Sequence, residues 1–299
     1  MKEFYHVLIK NTGQIIHDTF ATSHKDLIHK YLTSEDVQNE TYFKAMFSPK
    51  ENTRLDDVNN YQLIINETYI PNWFCGGFVE DVTHNLKIII SSMIIKIRKP
   101  LLLNEGAILV GNAVIDEVKH SIIFGMYDNS RIKVLNNGEI HTMRDETIID
   151  ETYDNTIIYC MHGYSKVKKM CDNSKILKMF EQANVNIMYN SSKIVALKGS
   201  ANIAEMHDDT KADRLKHMSS VNEMHENSVI EEMWDWSIVE KMFDNARINN
   251  MNEGSKVLEM YGNSIVEQMY GNSIVEQLYE NSLVRKLHDT AQILIRSLK

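Results

Sequence analysis

From residue 134 to residue 295 the apolar and polar positions recur with a period of nine. Read from Val134, the first place of each unit holds Met in 12 units and Leu in four. The fifth place is Ser, Thr or Ala in every unit but the first, which has Gly138, and the seventh is Val or Ile everywhere except Ala212. The places between them accept Lys, Glu, Asp, Asn, Trp or Tyr almost freely. The run comprises 18 units without an insertion and is clearest at Met260–Leu278, where Met-Tyr-Gly-Asn-Ser-Ile-Val-Glu-Gln occurs twice and Leu follows. Three restricted places in tolerant surroundings predict an inward face repeated at fixed spacing.

A helix does not satisfy this pattern. Nine residues make two and a half turns, so successive units would face opposite sides. Gly-Asn and Asp-Asn pairs before a Ser (Asp154-Asn155, Asp172-Asn173, Gly262-Asn263, Gly271-Asn272) predict tight corners. Places five and seven, two apart, suit a short strand pointing both side chains one way. The predicted fold is mainly β: a right-handed parallel β-solenoid of 9-residue repeats preceded by a small α+β N-terminal domain. Two units per coil are favoured over three, because the columns show no three-fold alternation. That gives about nine coils at ~4.8 Å each, roughly 45 Å of stacked strands.

The rest of the chain fits around this run. Residues 1–105 read as an α+β domain with a hairpin from Phe4–Lys10 and Gln14–Phe20, and a helix capped by Ser23 and Asp26 running through Leu32. A strand is predicted at Tyr61–Ile65. A second helix carries Phe78, Val82, Leu86, Ile89, Met93 and Ile97 on one face and ends at Pro100. Between 106 and 133 the repeat is present but shortened, with Val110, Val118 and Met126 eight apart, and 134–299 is the nonapeptide solenoid. A bare first coil would be an open strand edge, so the N-terminal domain is expected to act as a cap.

Over about 110–295 the units resemble the nonapeptide-type β-solenoid repeats of bacterial and prophage proteins, built on Met/Val-Trp/Tyr-Gly/Asp-Asn-Ser/Ala-x-Val. The resemblance implies an architecture, and its prophage members suggest an inhibitor of a host nucleic-acid or defence enzyme. The use of a small and a branched inward residue is similar to pentapeptide and hexapeptide solenoids, although the period differs. The period is similar to that of calcium-binding nonapeptide rolls, but their Gly-Gly-x-Gly-x-Asp signature is missing. No metal and no cofactor are expected.

Composition narrows the function classes. A net charge of −9 and a pI near 5.7 argue against direct nucleic-acid or anionic-membrane binding. Three cysteines, Cys75, Cys160 and Cys171, make no disulfide framework and suit a reducing cytoplasm, of the bacterium or of an infected host cell. The N-terminus carries no signal-peptide pattern, and Ile88–Ile97 is too short and interrupted to span a membrane.

Two features are candidates for binding. The second place holds Tyr153, Phe180, Tyr189, Trp234, Phe243, Tyr261, Tyr270 and Tyr279 with His162, His207, His225 and His288. Such a column meets a partner surface, stacks the bases of a single strand (for which the usual basic groove is missing), or simply covers the edge and stabilises neighbouring coils. Residues 199–280 contain 16 Asp/Glu against six Lys/Arg, either a nucleic-acid mimic or an ordinary soluble surface. The expected partner is a protein with a basic groove, docked on Glu226, Glu231, Glu232, Trp234, Asp235, Trp236, Glu240, Asp244, Tyr261, Tyr270 and Tyr279.

The last unit adds Leu294, Ile295 and Leu298 where earlier units are mostly polar; a homodimer joined there, tail to tail, is expected, with Ile293–Leu298 folded over its own last coil as the alternative. The chain is expected not to be an enzyme. The column-two histidines have no Ser/Asp arrangement beyond the repeat, and Cys160, His162 and Cys171 match no zinc spacing. A structural spacer and a solenoid acyltransferase are the alternatives. Val266→Asp should cost several kcal/mol and Glu267→Lys under ~0.5 kcal/mol.

Overall fold

The computed structural model describes residues 5–39, 41–51, 53–67 and 69–296. The chain divides into two compact units: residues up to Ile95 with Glu105–Ile108, and Lys96–Asn104 with everything from Leu109 onward. The solenoid unit therefore takes in the strand Lys99–Leu103.

The first unit contains β1 (Tyr5–Lys10), β2 (Ile15–His17), α1 (His24–Tyr31), α2 (Ser34–Gln38), β3 (Tyr42–Pro49), β4 (Tyr61–Ile64) and α3 (Gly76–Ser92). The strands form an antiparallel sheet in the order β2-β1-β3-β4. The predicted hairpin forms, turning at Gly13 with φ 85, and Phe4 lies outside the described residues. Ser23 caps α1 by accepting the Asp26 N–H, while the Asp26 carboxylate turns back to Thr22. Val82, Leu86 and Ile90 are the buried stripe of α3. That helix stops at Ser92, short of the predicted end, because the β-branched pair Ile94–Ile95 is extended and Ile97 beyond it is 75% exposed. Strand β3 and helix α2 went unpredicted.

The second unit is a parallel β-solenoid of about 11 coils with about 18 residues per coil, so two nonapeptides make one coil. Alternate units enter two different stacks of strands. We call sheet I the 12-stranded stack from Lys99–Leu103 to Gln292–Arg296, and sheet II the stack running through Ile122–Met126 to Leu283–Leu287. The corners following sheet I strands form edge I, and those following sheet II strands form edge II. Like residues stack in register: Met224, Met242, Met260 and Leu278 align along sheet I, and Met233, Met251, Met269 and Leu287 along sheet II.

Places one, five and seven are the core, as the pattern predicted: Met260, Ser264 and Val266 are each 0% exposed. Burying such a Met or Val contributes about 1.5–3 kcal/mol. The strands run from place six to place one of the next unit, as in Ile265–Met269, with only the second and fifth residues buried. Strict alternation would point Met269 outward. Two successive outward residues, Glu267 and Gln268, restore its inward aim.

Each corner solves a hydrogen-bond problem. The place-five N–H donates to the place-two carbonyl (Ser264 to Tyr261, 3.2 Å), closing a turn with positive φ at place three: 64° at Gly262, 52° at Asp244, 54° at Glu226. The N–H groups of places two and six, and at many corners that of place four, donate to the preceding coil, as Tyr261 to Met242 (2.8 Å), Ile265 to Ala246 (2.9 Å) and Asn263 to Asp244 (2.7 Å). The place-three N–H is left over, and at corners not followed by a place-three glycine the place-three side chain of the following coil can accept it: Gly262 to Glu280 at 2.7 Å, Asn190 to Asp208 at 2.8 Å, Glu226 to Asp244 at 3.1 Å. A carboxylate at place three can therefore cap the corner before it, as Asp208, Asp244 and Glu280 do.

Shortened coils extend past residue 134, and they hold 17 residues rather than two units of eight. Leu135 aligns with Val118 and with Thr152, each 17 residues away; 18-residue spacing begins on sheet II at Glu139–Ile157 and on sheet I at Ile148–Lys166. Leu135, not Val134, faces inward: Leu135 is fully buried and Val134 is half-buried. The corner at Asn136–Asn137 is one residue shorter, which moves the inward position along by one.

Candidate functional site: two edges and two faces

Two units per coil split the aromatic column in two. Edge I carries Tyr153, Tyr189, His207, His225, Phe243, Tyr261 and Tyr279, and edge II carries His162, Phe180, Trp234, Tyr270 and His288. On edge I six rings stack without a break. Tyr189–His207, His207–His225, His225–Phe243, Phe243–Tyr261 and Tyr261–Tyr279 have centroids 5.2, 4.7, 4.8, 5.2 and 4.7 Å apart, all within 18° of parallel. Among the described residues edge II has stacked pairs, His162–Phe180 and Tyr270–His288, and no longer run. The rings lie half-buried along the edge. Their polar tips meet the residue two before them: Tyr261 donates to Glu259 (3.0 Å), Trp234 to Glu232 (3.0 Å), and His207 and His225 pair with Glu205 (3.0 Å) and Glu223 (3.1 Å). Burial, and then the Glu259 carboxylate, push the Tyr261 phenol up to about 12.

The structure does not bring the expected binding residues together. Glu226, Glu240, Asp244, Tyr261 and Tyr279 lie on sheet I or edge I; Glu231, Glu232, Trp234, Asp235, Trp236 and Tyr270 lie on sheet II or edge II. Three of the acids are corner caps: Glu226 accepts the Asp208 N–H, Asp235 the His217 N–H and Asp244 the Glu226 N–H. Trp234 is half-buried beneath Lys216, whose ammonium sits 5.3 Å from its ring, whereas Trp236 is 69% exposed. Trp236 rests on the next corner, where a Cβ on Gly254 would meet its ring at 3.0 Å. Leu294 and Ile295 are 56% and 54% exposed on the last described strand, and Leu298 lies outside the described residues.

Sorting charge by side changes the linear count. The sheet I and edge I segments 202–209, 220–227, 238–245, 256–263 and 274–281 carry ten Asp/Glu against two Lys. The sheet II and edge II segments 175–182, 193–200 and 211–218 carry seven Lys/Arg against two Asp/Glu. This basic strip was missed because acidic segments of the other side are interleaved with it in the chain. Its signal was a period of 18, visible in Lys175, Lys193 and Lys211.

Other candidates do not assemble. Cys160 is on sheet II, His162 on edge II and Cys171 buried on edge I. Among the described residues no group of His, Cys, Asp or Glu is placed to hold a metal ion, and no helix is long and apolar enough to cross a membrane. A cavity of about 160 Å³ in the first unit is lined by His24, Lys44, Ile64 and Glu67, but His24 is bonded to the Ala45 carbonyl (2.8 Å) and Lys44 to Glu67 (3.4 Å). No protein-family model, curated protein or solved structure matches the chain.

Proposed function

We propose that the solenoid is a non-enzymatic binding protein and that edge I, with the adjoining face of sheet I, is its docking surface for a protein with a basic groove. The observation that carries this reading is the unbroken ring stack flanked by carboxylates. Eight net negative charges over five coils of ~4.8 Å give about one per 3 Å, against about one per 1.7 Å of duplex DNA. The charges are also held in place: carboxylates that accept an N–H at a corner or a phenol O–H at a ring tip have little freedom to lose on binding. A nucleic-acid or defence enzyme inhibited by occupation of its basic groove fits this array, as does the resemblance to prophage repeats.

The test is displacement of a labelled DNA duplex from a panel of nucleic-acid enzymes. The chain should displace duplex from at least one of them, less well as salt rises. Combined Asp209→Lys, Asn227→Lys and Glu240→Lys, all at exposed positions of sheet I or edge I, should abolish displacement. Equal displacement by that variant would remove this surface as the binding site. A rigid spacer is the reading left if no enzyme in the panel is affected.

A further inference from the structure

The basic strip is the feature that the reading above leaves unused. Lys175, Lys193 and Lys211 are aligned on three successive strands of sheet II, one directly beside the next. Like charges so aligned destabilise a sheet unless something compensates them. Asp213 does so for Lys193 at 2.7 Å, and Lys198 and Lys216 lie over the Phe180 and Trp234 rings. Lys178, Lys211 and Arg214 are exposed, with no ion-pair partner among the described residues.

A surface of opposite sign and the same construction lies on the other side of the same unit. Segments 202–209, 220–227 and 238–245 of sheet I and edge I hold seven Asp/Glu against one Lys, over the same three-coil length and with the same strand spacing. We propose that the basic strip of one chain docks on the acidic side of a second copy, so that solenoids associate side by side and parallel. This rests on edge I being a docking surface and names a partner for it. The acidic block lies three half-coils further along than the basic one, so neighbours would be staggered by about 7 Å. The contact uses two different surfaces, which makes it heterologous and leaves it open to further copies at both sides.

A nucleic-acid strand fits the strip less well. Three coils span only ~14 Å, Glu231, Glu232 and Asp235 close the strip on the next coil, and the chain as a whole carries −9. A second copy offers a short acidic block of matching length.

The test follows mass by light scattering and sedimentation on the full chain. In about 10 mM salt, where the screening length is ~30 Å, the mass should rise with concentration above the 34.7 kDa of one chain. Association should weaken at least about tenfold by 0.15 M salt. Variant one combines Lys178→Glu, Lys211→Glu and Arg214→Glu; variant two is the Asp209→Lys, Asn227→Lys, Glu240→Lys combination. Each alone should remain a monomer with a near-native melting curve. An equimolar mixture should form a one-to-one pair and nothing larger, since only the junction between the intact acidic side of variant one and the intact basic strip of variant two survives.

A wild-type chain that stays at 34.7 kDa, or association retained by either variant alone, overturns the proposal. A salt-resistant dimer abolished by Leu294→Asp with Ile295→Asp would instead put the contact on the last coil. A monomer that binds a labelled single-stranded oligonucleotide, and loses it in variant one, would reassign the strip to a polyanion. Variant one keeps the acidic side intact and should still displace duplex in the enzyme panel, so failure of self-association leaves the proposed function standing. Failure of displacement with intact self-association does the reverse.

Discussion

At the scale of single residues, the buried small column separates packing from hydrogen bonding. The Ser264 hydroxyl is buried without a partner, whereas Ser282 donates to the Tyr279 carbonyl at 2.6 Å and reaches the Met260 carbonyl at 3.1 Å. Ser264→Ala should therefore be neutral or stabilising by up to ~1 kcal/mol, and Ser282→Ala should cost about 1 kcal/mol. Ala183, Ala201 and Ala246 already fill this place elsewhere. Urea midpoints would decide, and equal losses at both sites would mean the hydroxyls do not differ. The corner column gives a second contrast. Asp244 at φ 52 caps the Glu226 N–H, so Asp244→Ala should cost about 1–2 kcal/mol. Glu253 has the same φ but accepts no N–H among the described residues, so Glu253→Gly should gain up to ~1 kcal/mol. Val266→Asp keeps its predicted cost of several kcal/mol, because Val266 is fully buried. The expectation for Glu267→Lys changes: Glu267 lies between Arg247 and Arg285, so a lysine would complete a row of three cations. Its loss should be nearer 1 kcal/mol.

At the scale of the coil, the repeat predicts which deletions the fold tolerates. Removing residues 261–269 joins Met260 to Tyr270 and keeps every column, while passing all later strands to the opposite sheet. Tyr270 would then follow Phe243 on edge I. That variant should retain its β circular dichroism and melt cooperatively, whereas removal of four residues from the same place should abolish cooperative melting; similar behaviour of the two would mean the columns do not define the core. The inward columns were legible in the sequence because Met260, Ser264 and Val266 recur at a fixed spacing that only a stacked strand can use. The sides were not legible. Glu231 and Glu240 are one unit apart in the chain and on different sheets, so any linear window adds charges that the fold separates. Nor were the corner caps: Asp244 reads as surface charge until the orphan N–H of Glu226 is seen beneath it. In the first unit, the end of α3 was misjudged because Ile97 keeps the helical spacing after the backbone has left the helix.

At the scale of the molecule, acid should weaken the fold in two stages. Burial holds His141 and His162 below the ordinary imidazole range, with Arg144 adding to the effect at His162. A folded value below the unfolded one favours the neutral ring, so this contribution is whole above about 6.5 and is lost as pH falls from there to the folded value. His162→Phe, which keeps a ring against Phe180, should flatten the loss of urea midpoint as pH falls below about 6.5; an unchanged slope would exclude His162 as a cause. Carboxylates act later. Hydrogen bonds from Lys133 and Arg98 lower Asp116; at Asp150 burial pushes upward but Lys168 and Arg131 outweigh it. Their stabilisation is present above the ordinary carboxylate value near 3.9 and lost as pH falls through the folded values.

The twin units Met260–Gln268 and Met269–Gln277 carry one sequence on opposite sides of a single coil. There the solenoid has a local two-fold screw axis, and a half-turn with half a coil's rise leaves its composition unchanged. A ligand approaching that coil meets the same chemistry from either direction and cannot be told front from back. The two sides differ most where that symmetry is broken, between Lys175 and Asn245, where one side is basic and the other acidic. Copying a pair of units lengthens the symmetric part by one coil and leaves that difference as it was. Copying a single unit inverts everything beyond it.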